Sequence, residues 1–223
     1  MSQTIMIAGA SRGIGLEMAR QARARGDRVI ASVRGDGSAL ADFAGQVLVM
    51  DVTDEASIRA ASAAVDEPLD LLVCNAGVYR GRGAMDADDS GAEAWSDVLM
   101  TNVAGPFLVA RAFVPQLARG GGGKIAIISS KMGSSAMAPG NAYLYRASKA
   151  GATNVACNLA AELKDQGIAV GSYHPGWVRT DMGGEGADLS TEESAADLLA
   201  RFDHLSLSTT GVFEDHAGAT LPF

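Results

Sequence analysis

Only two cysteines, Cys74 and Cys157, occur in 223 residues. They lie far apart in apolar stretches, so a disulfide scaffold is excluded and small buried thiols are expected. Aromatic residues make up 5% of the chain, too few for a platform on which bases stack. Positive charge is also scarce: 18 Lys and Arg against 26 Asp and Glu leave a net charge of −8. Such a field repels phosphate backbones and anionic lipid, which argues against nucleic-acid and membrane partners. No run of 18 consecutive apolar residues exists, and the first apolar run, 4–8, starts too early and is too short for a secretory leader. A cytoplasmic location is expected. The histidines His174, His204 and His216 have no ligand spacing, so no metal is implied.

Apolar residues are plentiful, at 48%. That content suffices for a sizeable core, and a prior of roughly 150 residues per domain allows one large domain. Short, nearly continuous apolar runs at 4–8, 28–33, 46–50, 69–74, 124–129 and 168–173 read as strands buried on both faces. Helical patterns lie between them at 13–25, 38–43, 54–65, 94–118 and 143–164. This alternation predicts an α/β fold, a doubly wound parallel sheet with helices on both faces, as one domain over 1–223. The four glycines at 120–123 fall between a helix and a strand and read as a helix stop, not a linker. The acidic residues Asp86, Asp88, Asp89 and Glu93 read as a solvated loop.

The first strand runs directly into Gly9-Ala-Ser-Arg-Gly13-Ile-Gly15 and then into a helix. Glycines in that context permit a tight turn, let backbone N–H groups approach a pyrophosphate, and allow the helix to pack close to the sheet. The turn, with Ser11, Arg12 and Ile14, is therefore a candidate phosphate cradle. Tyr145 and Lys149, four apart in a helical stretch, lie one turn apart on one face. An ammonium near a phenol favours the phenolate, so Lys149 is expected to lower the Tyr145 pKa and make it an acid that protonates a carbonyl oxygen.

The glycine spacing, followed in order by Asp51-Val52, Asn75-Ala76-Gly77, Asn102, Ser130, Tyr145-x-x-x-Lys149 and Pro175-Gly176, resembles the short-chain dehydrogenase/reductase family. The runs Tyr143-Leu-Tyr-Arg-Ala-Ser-Lys149 and His174-Pro-Gly-Trp-Val-Arg-Thr-Asp-Met-Gly-Gly184, with the ending Gly211-Val-Phe to Leu221-Pro-Phe223, resemble its C-factor and sniffer-type carbonyl reductase branch. The resemblance implies a Rossmann fold and hydride transfer between a nicotinamide cofactor and an aldehyde or ketone. Asp51 and Val52 would meet the adenine, and Asn75, Ala76 and Gly77 would line the sheet edge. Pro175, Gly176, Val178 and Thr180 would lie beside the nicotinamide, and Lys149 would also hold its ribose. Asn102 resembles an asparagine whose backbone carbonyl holds a water in a proton relay.

Val33 stands where relatives that use NAD carry Asp, and Arg34 and Arg12 are two cations able to clamp a 2′-phosphate, so NADP is favoured over NAD. Asp36 weakens that reading, and Asp51 and Asp54 have a competing use as helix caps. Ser130 would steady the substrate oxygen, with Ser129 its rival. The family's common serine-to-tyrosine interval points from Ser130 to Tyr143, but residue 147 is Ala, so Tyr143 has no lysine partner. Tyr145 is chosen. The glycine-containing stretch 178–191 reads as a short substrate-side loop leaving a shallow or mobile pocket. His174 either lines that pocket or is a hydrogen-bonded structural histidine. Pairing into a homodimer or homotetramer through helices 94–118 and 143–164 is a further implication of the resemblance. A dinucleotide-binding sensor with little turnover is the competing function.

Overall fold

Residues 2–42, 44–85 and 88–223 are described in the computed structural model. Seven strands, β1 (Thr4–Ala8), β2 (Arg28–Val33), β3 (Gln46–Val49), β4 (Leu71–Cys74), β5 (Lys124–Ile128), β6 (Ala169–His174) and β7 (Phe213–Asp215), form one parallel sheet in the order 3-2-1-4-5-6-7. Alternation along β1 sends Ile5 and Ile7 to one face and Met6 and Ala8 to the other, and both faces are buried. On the first face, α1 (Gly13–Ala24) and α6 (Thr191–His204) pack through Met18, Ala22, Leu198 and Phe202. Against the second lie α2 (Glu55–Ala63), α4 (Gly105–Arg119) and α5 (Tyr143–Leu163), through Ile58, Phe113, Leu117, Ala152 and Ala156.

Local chemistry sets the helix ends. Asp54 caps α2, its side chain accepting from the Ala56 N–H at 2.8 Å, and Ser190 with Glu193 forms a reciprocal capping box on α6. The four glycines stop α4, with Gly121 in the left-handed region. Two elements, α6 and β7, follow the last strand that the apolar runs predict. The helix is rich in polar residues, and β7 is a three-residue strand with two acidic positions, so neither carries the long apolar run that marked the others.

The helix expected at 94–118 is divided into α3 (Ala92–Leu99), a π-helical turn over Met100–Ala104, and α4. Pro106 lies four residues beyond Asn102 and has no N–H to give the Asn102 carbonyl, so the regular hydrogen-bond ladder cannot continue there. Taken together, Ala92–Arg119 is one helical stretch of 28 residues, long and apolar enough by those measures to cross a membrane. Its inner face, including Val98, Val109 and Phe113, packs within the protein core. The short helix expected at 38–43 is a 3-10 turn over Ser38–Leu40, and Phe43 and Asp86 lie outside the described residues.

Candidate active site

Between β1 and β4 the strand order reverses, and a crevice opens at the carboxyl ends of the strands, where open α/β sheets place ligands. A cleft of about 500 Å³ occupies it. Gly9, Ser11, Arg12, Gly13 and Ile14 form one wall, running into the first turn of α1. Gly9 has φ of +86°, and a Cβ there would lie 2.7 Å from the Ala76 Cα. The turn is tied to both neighbouring strands: Gly9 N–H donates to Ser32 Oγ at 3.3 Å, and Asn75 Nδ2 donates to the Gly9 carbonyl at 2.7 Å. A Cβ on Gly15 would overlap the Gly9 carbonyl and Asn75 Nδ2. Gly15 therefore lies under the turn and shapes it.

Arg34 lines the cleft, is exposed, and makes no hydrogen bond or ion pair with the described residues. Arg12 differs from expectation: its Nη1 pairs with Asp181 at 2.5 Å, on groups that are 74% and 76% exposed. An ion pair so exposed is worth about 0–1 kcal/mol. Asp36 is turned to Ser38, accepting from both its N–H and its hydroxyl, and these bonds hold its carboxyl below the usual range. Asp51 and Val52 line the cleft, and Thr53 donates backbone N–H and hydroxyl to Asp51 Oδ1.

At the other end, Tyr145 and Lys149 face the cleft from α5, both almost fully buried. Tyr143 is 47% exposed. Burial is the largest influence on Tyr145, pushing its phenol above the ordinary value, with Tyr79 acting in the same direction and a hydrogen bond to Ser130 opposing it. This overturns the expected lowering by Lys149. The Lys149 ammonium donates to the Ile128 carbonyl at 2.8 Å, lies 5.6 Å from the Tyr145 ring centre, and is itself pushed down to about 8 by burial. Tyr145 is thus held protonated at neutral pH.

Ser129 points away from this chemistry, its hydroxyl bonded to the Lys149 carbonyl and to Thr153 Oγ1. Ser130 follows β5, accepts from the Met132 N–H at 3.1 Å and meets Tyr145. Asn102 is buried, and its side chain bonds to Val78 and Ser148. Oδ1 accepts from Val78 N–H at 2.9 Å, and Nδ2 donates to the Val78 carbonyl and to Ser148 Oγ. It braces the loop after β4 against α5.

Pro175 and Thr180 line the cleft, but Gly176 and Val178 do not. A Cβ on Gly176 would meet Leu189 and His216, and Val178 is buried in a bridge with Leu189. The 178–191 loop is tied down more heavily than its glycines suggest. Trp177 Nε1 donates to the Gly183 carbonyl at 2.8 Å, Gly183 N–H to Thr180 Oγ1 at 3.1 Å, and Arg179 to the carbonyls of Ala187 and Asp188. Met182 and Asp181 on this loop also line the cleft. His174 is buried, its Nδ1 has no partner among the described residues, contrary to the hydrogen-bonded reading, and burial pushes its pKa down to about 4. Cys74 is buried and its thiol is pushed up to about 12, so it is chemically quiet; Cys157 is only partly buried.

The glycine cradle, the switch-point cleft and the phenol–amine pair are those of a nucleotide-dependent oxidoreductase. Residues 3–189 match the family model described as short chain dehydrogenase, and the chain belongs to that family. It is 34% identical over 160 residues to the C-signal protein of Myxococcus xanthus, covering 70% of this chain and 93% of that protein. Carbonyl reductase Sniffer of D. melanogaster superposes with a TM-score of 0.91 at 26% identity, over 100% of both chains. The NADPH-bound carbonyl reductase from chicken fatty liver gives a TM-score of 0.89 at 31% identity, covering 100% of this chain and 99% of that one.

Proposed function

We propose that the protein reduces aldehydes or ketones with NADPH. The observation that carries this reading is the buried Tyr145 phenol with Lys149 one helical turn away, at one end of a cleft whose other end is a glycine cradle. The residues present fit a dinucleotide. Backbone N–H groups at the start of α1 and the absent side chain of Gly9 make room for a pyrophosphate, and the exposed Arg34 fork, which makes no hydrogen bond among the described residues, suits a 2′-phosphate. Arg12 is available in addition once its exposed pair with Asp181 opens. Asp51 and Val52 would meet the adenine side, and Lys149 the ribose next to the nicotinamide.

When bound there, the nicotinamide supplies hydride to the carbonyl carbon. Ser130 and Tyr145 hold the carbonyl oxygen by their hydroxyls, and Tyr145 gives it a proton. The phenolate left behind would be costly in so dry a place without a cation, and Lys149, charged below about 8, supplies one a helical turn away. A phenol is protonated at neutral pH without help; burial raises the cost of releasing that proton, and the Lys149 charge offsets that cost. The NADPH-bound state of the chicken reductase supports the choice of cofactor.

The test is absorbance loss at the NADPH band with a panel of aldehydes and ketones, repeated with NADH. Turnover of at least one carbonyl, with kcat/KM higher for NADPH, is expected. Tight NADPH binding with no turnover across the panel contradicts the enzyme reading and favours a sensor; a preference for NADH contradicts the role of Arg34.

A further inference from the structure

The loop after β4 places an aromatic wall against the reacting phenol. The Tyr79 ring lies on that of Tyr145, centroids 4.2 Å apart and planes inclined by 33°. The Arg82 guanidinium lies 4.5 Å from the Tyr79 ring centre and donates from Nη2 to the Met182 carbonyl at 3.0 Å, reaching the loop after β6. The intervening backbone is fixed as well. Gly81, at φ of +65°, donates its N–H to Asp89 Oδ2 at 2.9 Å, and a Cβ at Gly81 would lie 3.1 Å from Leu144 Cβ. The Gly83 carbonyl accepts from Ala142 N–H at 3.0 Å. Ala142 has φ of 48°, a left-handed conformation that costs an alanine energy, and it sits one residue ahead of α5.

We propose that Tyr79 and Arg82 are positioning residues for Tyr145: Tyr79 holds the phenol ring in place, and Arg82 straps the loop after β4 to the loop after β6. The inference rests on the carbonyl-reductase reading for its effect on rate, but not for its effect on packing. A tyrosine on a helix has two rotatable side-chain bonds, and its hydroxyl delivers a proton only from a narrow range of orientations. Ring-on-ring contact restricts that range and keeps water from one face of the phenol. Arginine suits the outer layer because its planar fork stacks on an aromatic face while an edge N–H donates sideways, a combination lysine lacks. The wall and the loop bearing Met182 are thereby joined across the mouth of the site.

The experiment pairs two readouts on Tyr79→Leu, Tyr79→Phe, Arg82→Ala and Arg82→Lys. The first is ¹⁹F NMR of protein labelled with 3-fluorotyrosine, the Tyr145 signal being identified by its loss in Tyr145→Phe. The second is kcat and KM for NADPH-dependent carbonyl reduction. Tyr79→Leu is expected to move the Tyr145 signal through loss of the neighbouring ring and to lower kcat about tenfold, with KM for NADPH within about twofold. Tyr79→Phe should restore both. Arg82→Ala should lower kcat by a smaller factor, about threefold, and Arg82→Lys should not restore it. An unmoved signal and unchanged kcat in Tyr79→Leu overturn the proposal. So does a Tyr79→Phe variant as impaired as Tyr79→Leu, since the hydroxyl and not the ring would then matter. If the wild type turns over no carbonyl while the signal moves as expected, the packing claim stands and the carbonyl-reductase reading fails.

Discussion

Where β1 meets β4 the protein makes its cleft by leaving side chains out; where β5 meets α5 it fills space with buried polar ones. Gly9 and Gly15 are places where a single methyl would collide with Ala76 or with the turn itself, so the shape of that end is fixed by backbone. Tyr145, Lys149, Ser129, Ser130 and Asn102 crowd the other end, each buried and each with partners. The difference separates binding from reaction. Backbone N–H groups offer a phosphate site that hardly depends on pH, whereas a dry cluster of titratable groups makes proton affinity the controlled variable.

If this division is right, substitutions at the two ends fail differently. Lys149→Met should lower kcat/KM for carbonyl reduction about 10²–10³-fold, mostly through kcat, because the phenolate formed on Tyr145 loses its cation. Retention of wild-type turnover would assign the buried amine a purely structural use. Gly15→Ala should do the reverse. Overpacking costs about 1–3 kcal/mol, so Tm should drop by about 5 °C, and NADPH affinity measured by fluorescence should fall more than tenfold. An unchanged affinity would mean that the turn does not cradle the cofactor.

Within the binding end, Arg34→Ala should raise KM for NADPH about 10-fold and leave that for NADH within about twofold, as expected for loss of a charge-assisted contact to a 2′-phosphate. Equal changes for the two cofactors would remove Arg34 from that role. The smallest effect concerns pH. Folded Lys149 binds its proton less tightly than an unfolded lysine, with a pKa near 8 against an ordinary 10.5. Between those values the unfolded chain holds more protons, so this residue's contribution makes stability rise with pH. Burial of Tyr145 acts in the opposite sense only above its ordinary pKa of about 10. Denaturation midpoints of wild type relative to Lys149→Met should therefore increase from pH 7.5 to 9.5; a constant gap would show that burial does not shift the amine.

The binding end was the more legible in sequence, because a glycine spacing between a strand and a helix is a local pattern with a local cause. Tyr145 and Lys149 were found the same way, by helical spacing. The direction of the Tyr145 shift is not legible in that spacing, since burial is made by distant parts of the chain: Tyr79 comes from the loop after β4, and Ser130 from the end of β5. The pairing of Arg12 is not legible locally, because its partner Asp181 lies 169 residues away. The π turn at Asn102 has a local signal in sequence, Pro106 four positions on, and so does the start of α6, where Ser190 and Glu193 form a capping box. Tyr79 had none beyond its place two residues after Gly77.

The central claim is that the buried phenol of Tyr145 gives the proton while the cradle only holds the cofactor. It is tested most directly by comparing Tyr145→Phe with Tyr143→Phe, measuring NADPH affinity and carbonyl-dependent NADPH oxidation on the same samples. The account predicts wild-type affinity in both, near-normal oxidation in Tyr143→Phe, and a loss of about a thousandfold or more in Tyr145→Phe. Oxidation at the wild-type rate in Tyr145→Phe, or its loss in Tyr143→Phe alone, would contradict it.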